Sequence, residues 1–228
     1  MKKNFKFPFF VAEISANHNG SLSQLKKLID CAKINGADAV KIQSYEADTI
    51  SIRSKNKKML IKEGIWKGYN LWNLYKKAET PFRWHKEIFK YSKKKNILCF
   101  STPFDETAVD ILELNNCPIY KISSFEINHY PLLKKVALTK KPMIISTGTA
   151  SIKEIDKSMK FLKKYTNAPI ALLYCVSNYP ASKEDFNLNN LKILKEKFNC
   201  VVGLSDHSKD SIVAQLSIPL GAKIIEKH

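Results

Sequence analysis

Eight short runs of apolar and β-branched residues recur along the chain: Phe9–Ser15, Ala39–Gln43, Ile97–Thr102, Ile119–Ser123, Met143–Thr147, Ile170–Cys175, Val201–Ser205 and Lys223–His228. Between them, apolar residues fall at helical spacing with Lys and Glu on the opposite face. LSQLKKLIDCAKINGAD is the clearest such segment, and Gly36 stands where a helix C-cap is expected. DETAVDILELNN, IKEIDKSMKFLKKY and LNNLKILKEKF follow the same pattern. Strands that are apolar almost throughout, alternating with helices, predict a parallel sheet covered on its outer side. Eight such units in 228 residues predict an α/β protein, a (β/α)8 TIM barrel filling residues 1–228 as one catalytic domain. An open doubly wound sheet is the alternative, but the first turn, SANHNG, lacks the spaced glycines of a dinucleotide site.

Two features break the regularity. Residues 44–82 are too long for a simple loop and helix, and predict an excursion over the strand ends that covers a substrate. The sequence also ends with the eighth strand, so the barrel is expected to lack its final helix and to leave one apolar flank open.

In such a barrel the chemistry gathers at the C-terminal ends of the strands. Those ends carry Glu13, Lys41 with Gln43, Ser101–Thr102, Lys121 with Ser124 and Glu126, Ser146–Thr147, Ser177 with Tyr179, Ser205–Asp206–His207, and Glu226–Lys227–His228. A lysine following AV or IY in a core strand has little route to solvent, so Lys41 and Lys121 are expected to face a shared mouth and bind an anion. Thr102, Ser124, Ser146 and Ser205 offer hydroxyls to phosphate or carboxylate oxygens; singly, each is more often a strand-end cap or turn, and only the set points to binding. His207 and His228 end neighbouring strands, and two neutral imidazoles with Glu13 or Asp206 nearby suit a divalent metal with open positions. His18 reads equally as a substrate contact and as part of a turn, whereas His85 and His129 read as structural.

Composition narrows the class. Lys+Arg exceeds Asp+Glu by 38 − 21 = 17, but the lysines are spread over helix faces rather than gathered in a patch or arm. That argues for a solvated surface and a preference for anionic small substrates, not for nucleic acid. Five cysteines with no CxxC pair predict buried, reduced thiols. No stretch approaches the roughly 18 apolar residues of a membrane helix, so no membrane partner and a cytoplasmic location are expected.

The stretches AEISANHNG, GADAVKIQ, STPFD, YKISSFEI, PLL, KPMIISTGTA, GLSDHS and EKH, in this order from residue 12 to residue 228, resemble the sialic acid synthase family. Its members condense phosphoenolpyruvate with N-acetylated sugars, giving a nonulosonic 2-keto acid and phosphate. Within the family, WKGYNLWNLYKKAETPFRWHKEIF looks most like the pseudaminic acid synthases, the N-acetylneuraminate and legionaminate enzymes being the alternatives. The resemblance implies metal ligation by His207 and His228, with manganese or magnesium. It implies phosphoenolpyruvate binding by Lys41, Thr102, Lys121, Ser124, Ser146 and Ser205. It also implies sugar contacts from Gln43, Ser177 and Tyr179, contact of Glu13 with the sugar or with metal-bound water, and proton movement near the phosphoenolpyruvate methylene by Glu126. Ser177 departs from the Asn that the N-acetylneuraminate enzymes tend to carry. The family's C-terminal antifreeze-like domain, which lends an arginine to the partner subunit of a homodimer, is expected to be absent here, and weak turnover by the barrel alone with it. Two rival readings stand beside this one: a Schiff-base aldolase using Lys41 or Lys121, and a non-catalytic sugar-binding barrel.

Overall fold

A computed structural model describes residues 8–64 and 66–228. The eight strands are β1 (Phe9–Glu13), β2 (Ala39–Ser44), β3 (Leu98–Pro103), β4 (Tyr120–Ile122), β5 (Met143–Ser146), β6 (Ile170–Cys175), β7 (Val201–Asp206) and β8 (Ile224–Lys227). Each pairs in parallel with its sequence neighbours, and β8 pairs with β1, so the sheet closes as the TIM barrel that the pattern predicts. Every strand lies within two residues of its expected span. The largest difference is at the end of β1, where Ser15 adopts φ 47° and turns the chain out of the sheet.

The helices are α1 (Leu22–Ile34), α2 (Ala47–Ile50), α3 (Leu71–Ala78), α4 (His85–Lys94), α5 (Glu106–Leu114), α6 (Tyr130–Leu138), α7 (Ile152–Lys163), α8 (Asn190–Phe198) and α9 (Ile212–Ser217). Their starts follow local chemistry. Ser21 accepts from the Gln24 amide at 3.2 Å and Asp105 from the Ala108 amide at 2.8 Å. Ser151 and Glu154 form a reciprocal capping box before α7. Each satisfies amide groups that the helix cannot, which contributes about 1 kcal/mol per cap. Gly36 follows α1 at φ 85°, where a Cβ would be strained.

In-register parallel pairing puts partners on the same face of the sheet. Val11↔Ala39, Lys41↔Phe100, Ile144↔Ala171, Leu173↔Gly203 and Gly203↔Ile224 are therefore one inward set. The alternate set, including Val40, Ile42, Tyr120, Ile122, Ile145 and Leu204, is almost wholly buried beneath the helices. Continuing the inward set to the C-terminal ends gives Glu13, Lys41, Gln43, Thr102, Lys121, Ser146, Cys175, Ser205, Glu226 and His228. The apolar floor thus rises into a polar mouth. On the outward face of β1, Phe10 is 39% exposed, and Leu216 and Leu220 before β8 are exposed as well.

The excursion between β2 and α4 is built from α2, a bridge between Leu60 and Asn70, and α3. It is fastened at both ends. Ser44 at the end of β2 lies 2.6 Å from His85 Nε2 and 2.6 Å from Ser101 Oγ, while Glu79 accepts from the Ala47 amide at 3.1 Å. His85 is fully buried and uses its other nitrogen at Pro81 O, so its structural reading holds. All five cysteines are free; Cys99, Cys117 and Cys175 are buried as expected, but Cys31 is exposed, because it lies on the solvent side of α1. Among the described residues no helix is long and apolar enough to cross a membrane.

Candidate active site

Four buried charges alternate in sign across the mouth. Lys41 Nζ is paired with Glu13 Oε2 and lies 3.7 Å from Glu226 Oε1, and the same Glu226 oxygen lies 3.1 Å from Lys121 Nζ. None of the four side chains exceeds 3% exposure. Burying charges is costly, and contacts between opposite charges offset that cost. Burial likewise opposes the charge of Glu226, but the two ammonium groups overcome it and hold its carboxyl well below the usual range. Burial also works against the charge of Lys41, and the two carboxylates outweigh it, raising its pKa. In Lys121 burial prevails, aided by repulsion from Lys41, and its pKa is lowered.

Hydroxyls line the same hollow. Thr102 Oγ1 accepts from Lys41 Nζ at 3.2 Å, which leaves its own proton free to donate. Ser124 Oγ accepts from the Gly148 amide at 3.0 Å and touches Cys175 Sγ at 3.2 Å. A Cβ on Gly148 would stand 2.4 Å from that sulfur, so this approach requires glycine. Ser146 Oγ is buried with no hydrogen-bond partner, as is Glu226 Oε2. Gln43 is half-buried beside Thr102 in the β2–β3 register. Ser177 Oγ lies 3.9 Å from Cys175 Sγ. Glu126 is held by the Ser123 hydroxyl, and burial pushes its carboxyl up to about 7, against the pull of its backbone contact and of Lys121.

At the β7–β8 side the two imidazoles meet, with ring centroids 4.1 Å apart at 85°. Their Nε2 atoms converge on Ser205 Oγ, at 3.5 Å for His207 and 3.4 Å for His228. His207 Nδ1 lies 2.6 Å from the Val176 carbonyl, which can only accept, so Nδ1 carries the proton and Nε2 presents its lone pair. Burial and the neighbouring His228 lower the His207 pKa to about 4, keeping the ring neutral at pH 7. Among the described residues no group of three or more His, Cys, Asp and Glu side chains is arranged as a metal cage. The pair fits a divalent cation that takes its other ligands from water or substrate. Asp206, expected beside this pair, instead points outward, where it meets Lys227 Nζ at 3.1 Å. It follows Ser205 by one residue and so lies on the opposite face of β7. Glu226 takes the place proposed for it, 3.3 Å from His228 Nε2.

Tyr179 closes the site from the β6–α8 loop, stacked on His207 at 4.1 Å, and Trp66 from the excursion rests on Tyr179 at 6.5 Å. His18 is fully buried, with Nδ1 accepting from the Gly20 amide at 3.0 Å and Nε2 3.3 Å from Thr80 Oγ1. One nitrogen serves the turn and the other meets the excursion at Thr80, which favours its structural reading. His129 precedes α6, its carbonyl accepting from the Leu133 amide.

A family model described as the NeuB family matches residues 28–228. The chain belongs to the NeuB family. Similar curated proteins include the pseudaminic acid synthases of Campylobacter jejuni serotype O:2, 44% identical over 96% of this chain and 64% of that protein, and of Helicobacter pylori, 42% identical over 97% and 65%. This NeuB-family chain therefore spans just under two thirds of the length of those relatives. A crystal structure of N-acetylneuraminic acid synthetase from Leptospira borgpetersenii, in complex with citrate, superposes with a TM-score of 0.88 at 35% identity, covering 100% of this chain and 76% of that one.

The lysines, hydroxyls and histidines named from the sequence line one mouth, and beside them stand Glu226, Cys175 and Trp66, to which the sequence alone assigns no role. Glu226 was within reach: side chains two apart on a strand share a face, so placing His228 in the mouth places Glu226 there too. Trp66 opens the stretch WKGYNLWNLYKKAETPFRWHKEIF, but its contact with Tyr179 spans more than a hundred residues and is not legible there.

Proposed function

We propose that this chain is the catalytic barrel of a pseudaminic-acid-type synthase, condensing phosphoenolpyruvate with an acetamido sugar to give a nonulosonic 2-keto acid and phosphate. The observation that carries this reading is the convergence, in one mouth, of two buried ammonium groups, an unpartnered buried hydroxyl and a pair of imidazoles. The names of the similar synthases support the same chemistry.

Lys41 and Lys121 face the phosphate and carboxylate of phosphoenolpyruvate. Ser146 supplies a hydroxyl whose burial is costly until a ligand oxygen accepts from it. Thr102 and Ser124 extend this cradle, and Ser205 joins it to the imidazole pair. Such prepositioned donors act mainly by holding the reactants in line and by compensating charge in a dry site. The methylene carbon of the enol forms the new bond to the sugar aldehyde carbon, and the aldehyde oxygen takes a proton. Water adds at the former enol carbon, loses its proton to a carboxylate, and phosphate departs as the ketone forms. Glu126, with a pKa of about 7, is present in both protonation states near neutral pH and is suited to move these protons. Glu13 and Glu226 hold Lys41 charged, and Glu226 orients Lys121. A divalent cation, Mn2+ or Mg2+, held by His207 and His228 would polarise the aldehyde.

The aldolase alternative needs a neutral lysine: Lys41 is held charged by two carboxylates, and in Lys121, where burial lowers the pKa, contact with Glu226 opposes loss of the proton. The test measures phosphoenolpyruvate binding by calorimetry and phosphate release with a panel of acetamido sugars. Binding lost about 100-fold in Lys121→Ala, and phosphate release that requires both a sugar and a metal, are expected. No binding heat from phosphoenolpyruvate, or a borohydride-trapped pyruvate adduct, overturns the reading.

A further inference from the structure

Tyr179 meets His207 at the ring nitrogen that a cation would need. Its hydroxyl lies 3.0 Å from Nε2, its ring stacks on the imidazole at 28°, and its edge meets His228 at 5.8 Å. Because Nδ1 is committed to the Val176 carbonyl, Nε2 is an acceptor, and the tyrosine hydroxyl is the donor. The loop that carries Tyr179 is fixed on both sides of His207. Val176 takes the ring proton, and the Ala181 amide donates to the His207 carbonyl at 3.1 Å. Tyr179 therefore stays near His207 whatever its own rotamer. The tyrosine itself is 44% exposed and Trp66, resting on it, 42% exposed, so both can swing aside without opening a cavity.

We propose that Tyr179 is a positioning residue that competes with the cation for His207 Nε2. Cation binding displaces the hydroxyl, and the freed Tyr179, together with Trp66, then closes on the acceptor sugar. The inference rests on the metal reading above and adds an order to it: cation first, sugar second. A hydroxyl that must leave its acceptor lowers cation affinity by the worth of one hydrogen bond. A ring without the hydroxyl removes that cost and keeps the stacking.

The experiment titrates the protein with Mn2+, following free Mn2+ by electron paramagnetic resonance and tryptophan emission in parallel, for wild type, Tyr179→Phe, Trp66→Phe and His207→Ala. Tyr179→Phe is expected to bind Mn2+ about 3- to 10-fold more tightly. The wild-type emission change is expected to disappear in Trp66→Phe, whose Mn2+ affinity stays that of wild type. Unchanged affinity in Tyr179→Phe overturns the competition, and weaker affinity makes Tyr179 a ligand instead, which also overturns it. Mn2+ binding that survives His207→Ala unaltered sinks the metal reading itself, and the competition with it.

Discussion

Glu226 shows how much one residue can carry when burial is complete. A single oxygen lies within 3.7 Å of two lysine nitrogens, Ser205 Oγ and His228 Nε2. Removing its charge while keeping its shape, as in Glu226→Gln, leaves Lys121 buried with no carboxylate in contact. Breaking a buried pair on one side costs far more than the pair contributes net, so a loss on the order of 3 kcal/mol is expected in urea unfolding. A change below about 0.5 kcal/mol would mean that solvent already compensates these charges. Glu126 behaves in the opposite sense. Its carboxyl is raised from 4.5 to about 7 by burial, so between those values the folded chain holds a proton that the unfolded chain has lost. Stability from this group is therefore full below about pH 4.5, falls as pH rises towards 7, and stays low above it. Glu126→Gln is expected to melt above wild type at about pH 8 and level with it at about pH 4.5. Equal melting temperatures at both values would refute the raised pKa. At this scale the sequence was partly legible. Residue type and strand position located Lys41, Lys121 and Ser146, but pairing depends on which face each strand end presents, and Asp206 was misplaced for want of that parity.

At the scale of elements, alternation itself was legible because each strand is apolar on both faces and each helix on one. The regular units, β5 to β8 with α7 and α8 between, satisfy both conditions and were found almost to the residue. The irregular part, residues 44–82, was seen only as too long. Its α2 has four residues and its bridge joins single residues, too short to leave a period in the sequence. What holds it is a set of contacts distant in sequence: Ser44 with His85, Ala47 with Glu79, and Trp72 Nε1 with Asp48 Oδ1 at 2.9 Å. Gly203 shows the same limit inside the barrel. A Cβ there would come within 2.2 Å of the Ile224 carbonyl, a demand created by closure of β7 on β8 and invisible along β7 alone.

Across the whole molecule, the charge of the mouth and the charge of the surface play different parts. Glu13 and Glu226 cancel Lys41 and Lys121, so the buried quartet has no net charge with which to attract a polyanion from a distance. The long-range field must come from the remainder of the +17 excess. The stretch of the excursion from Arg53 to Lys67 is well placed to supply it: Arg53, Lys55, Lys57, Lys58, Lys62 and Lys67 are all exposed, against Glu63 alone, and Trp66 within it reaches the Tyr179 that stacks on His207. Exposed charges act over about 8 Å at physiological ionic strength and further in dilute buffer, whereas the buried quartet is scarcely screened. Steering should therefore depend on salt while the bound complex does not. Stopped-flow measurements are expected to show the association rate of phosphoenolpyruvate falling roughly tenfold between about 20 and 300 mM salt, with its dissociation rate nearly constant. The uncharged sugar should show no such slope. Replacing Lys55, Lys57, Lys58 and Lys62 together by Gln should flatten the dependence and leave the melting temperature unchanged, since none of the four is buried. If salt instead acted on the dissociation rate, the anion would be held by exposed lysines, and the buried quartet would lose its place as the binding site.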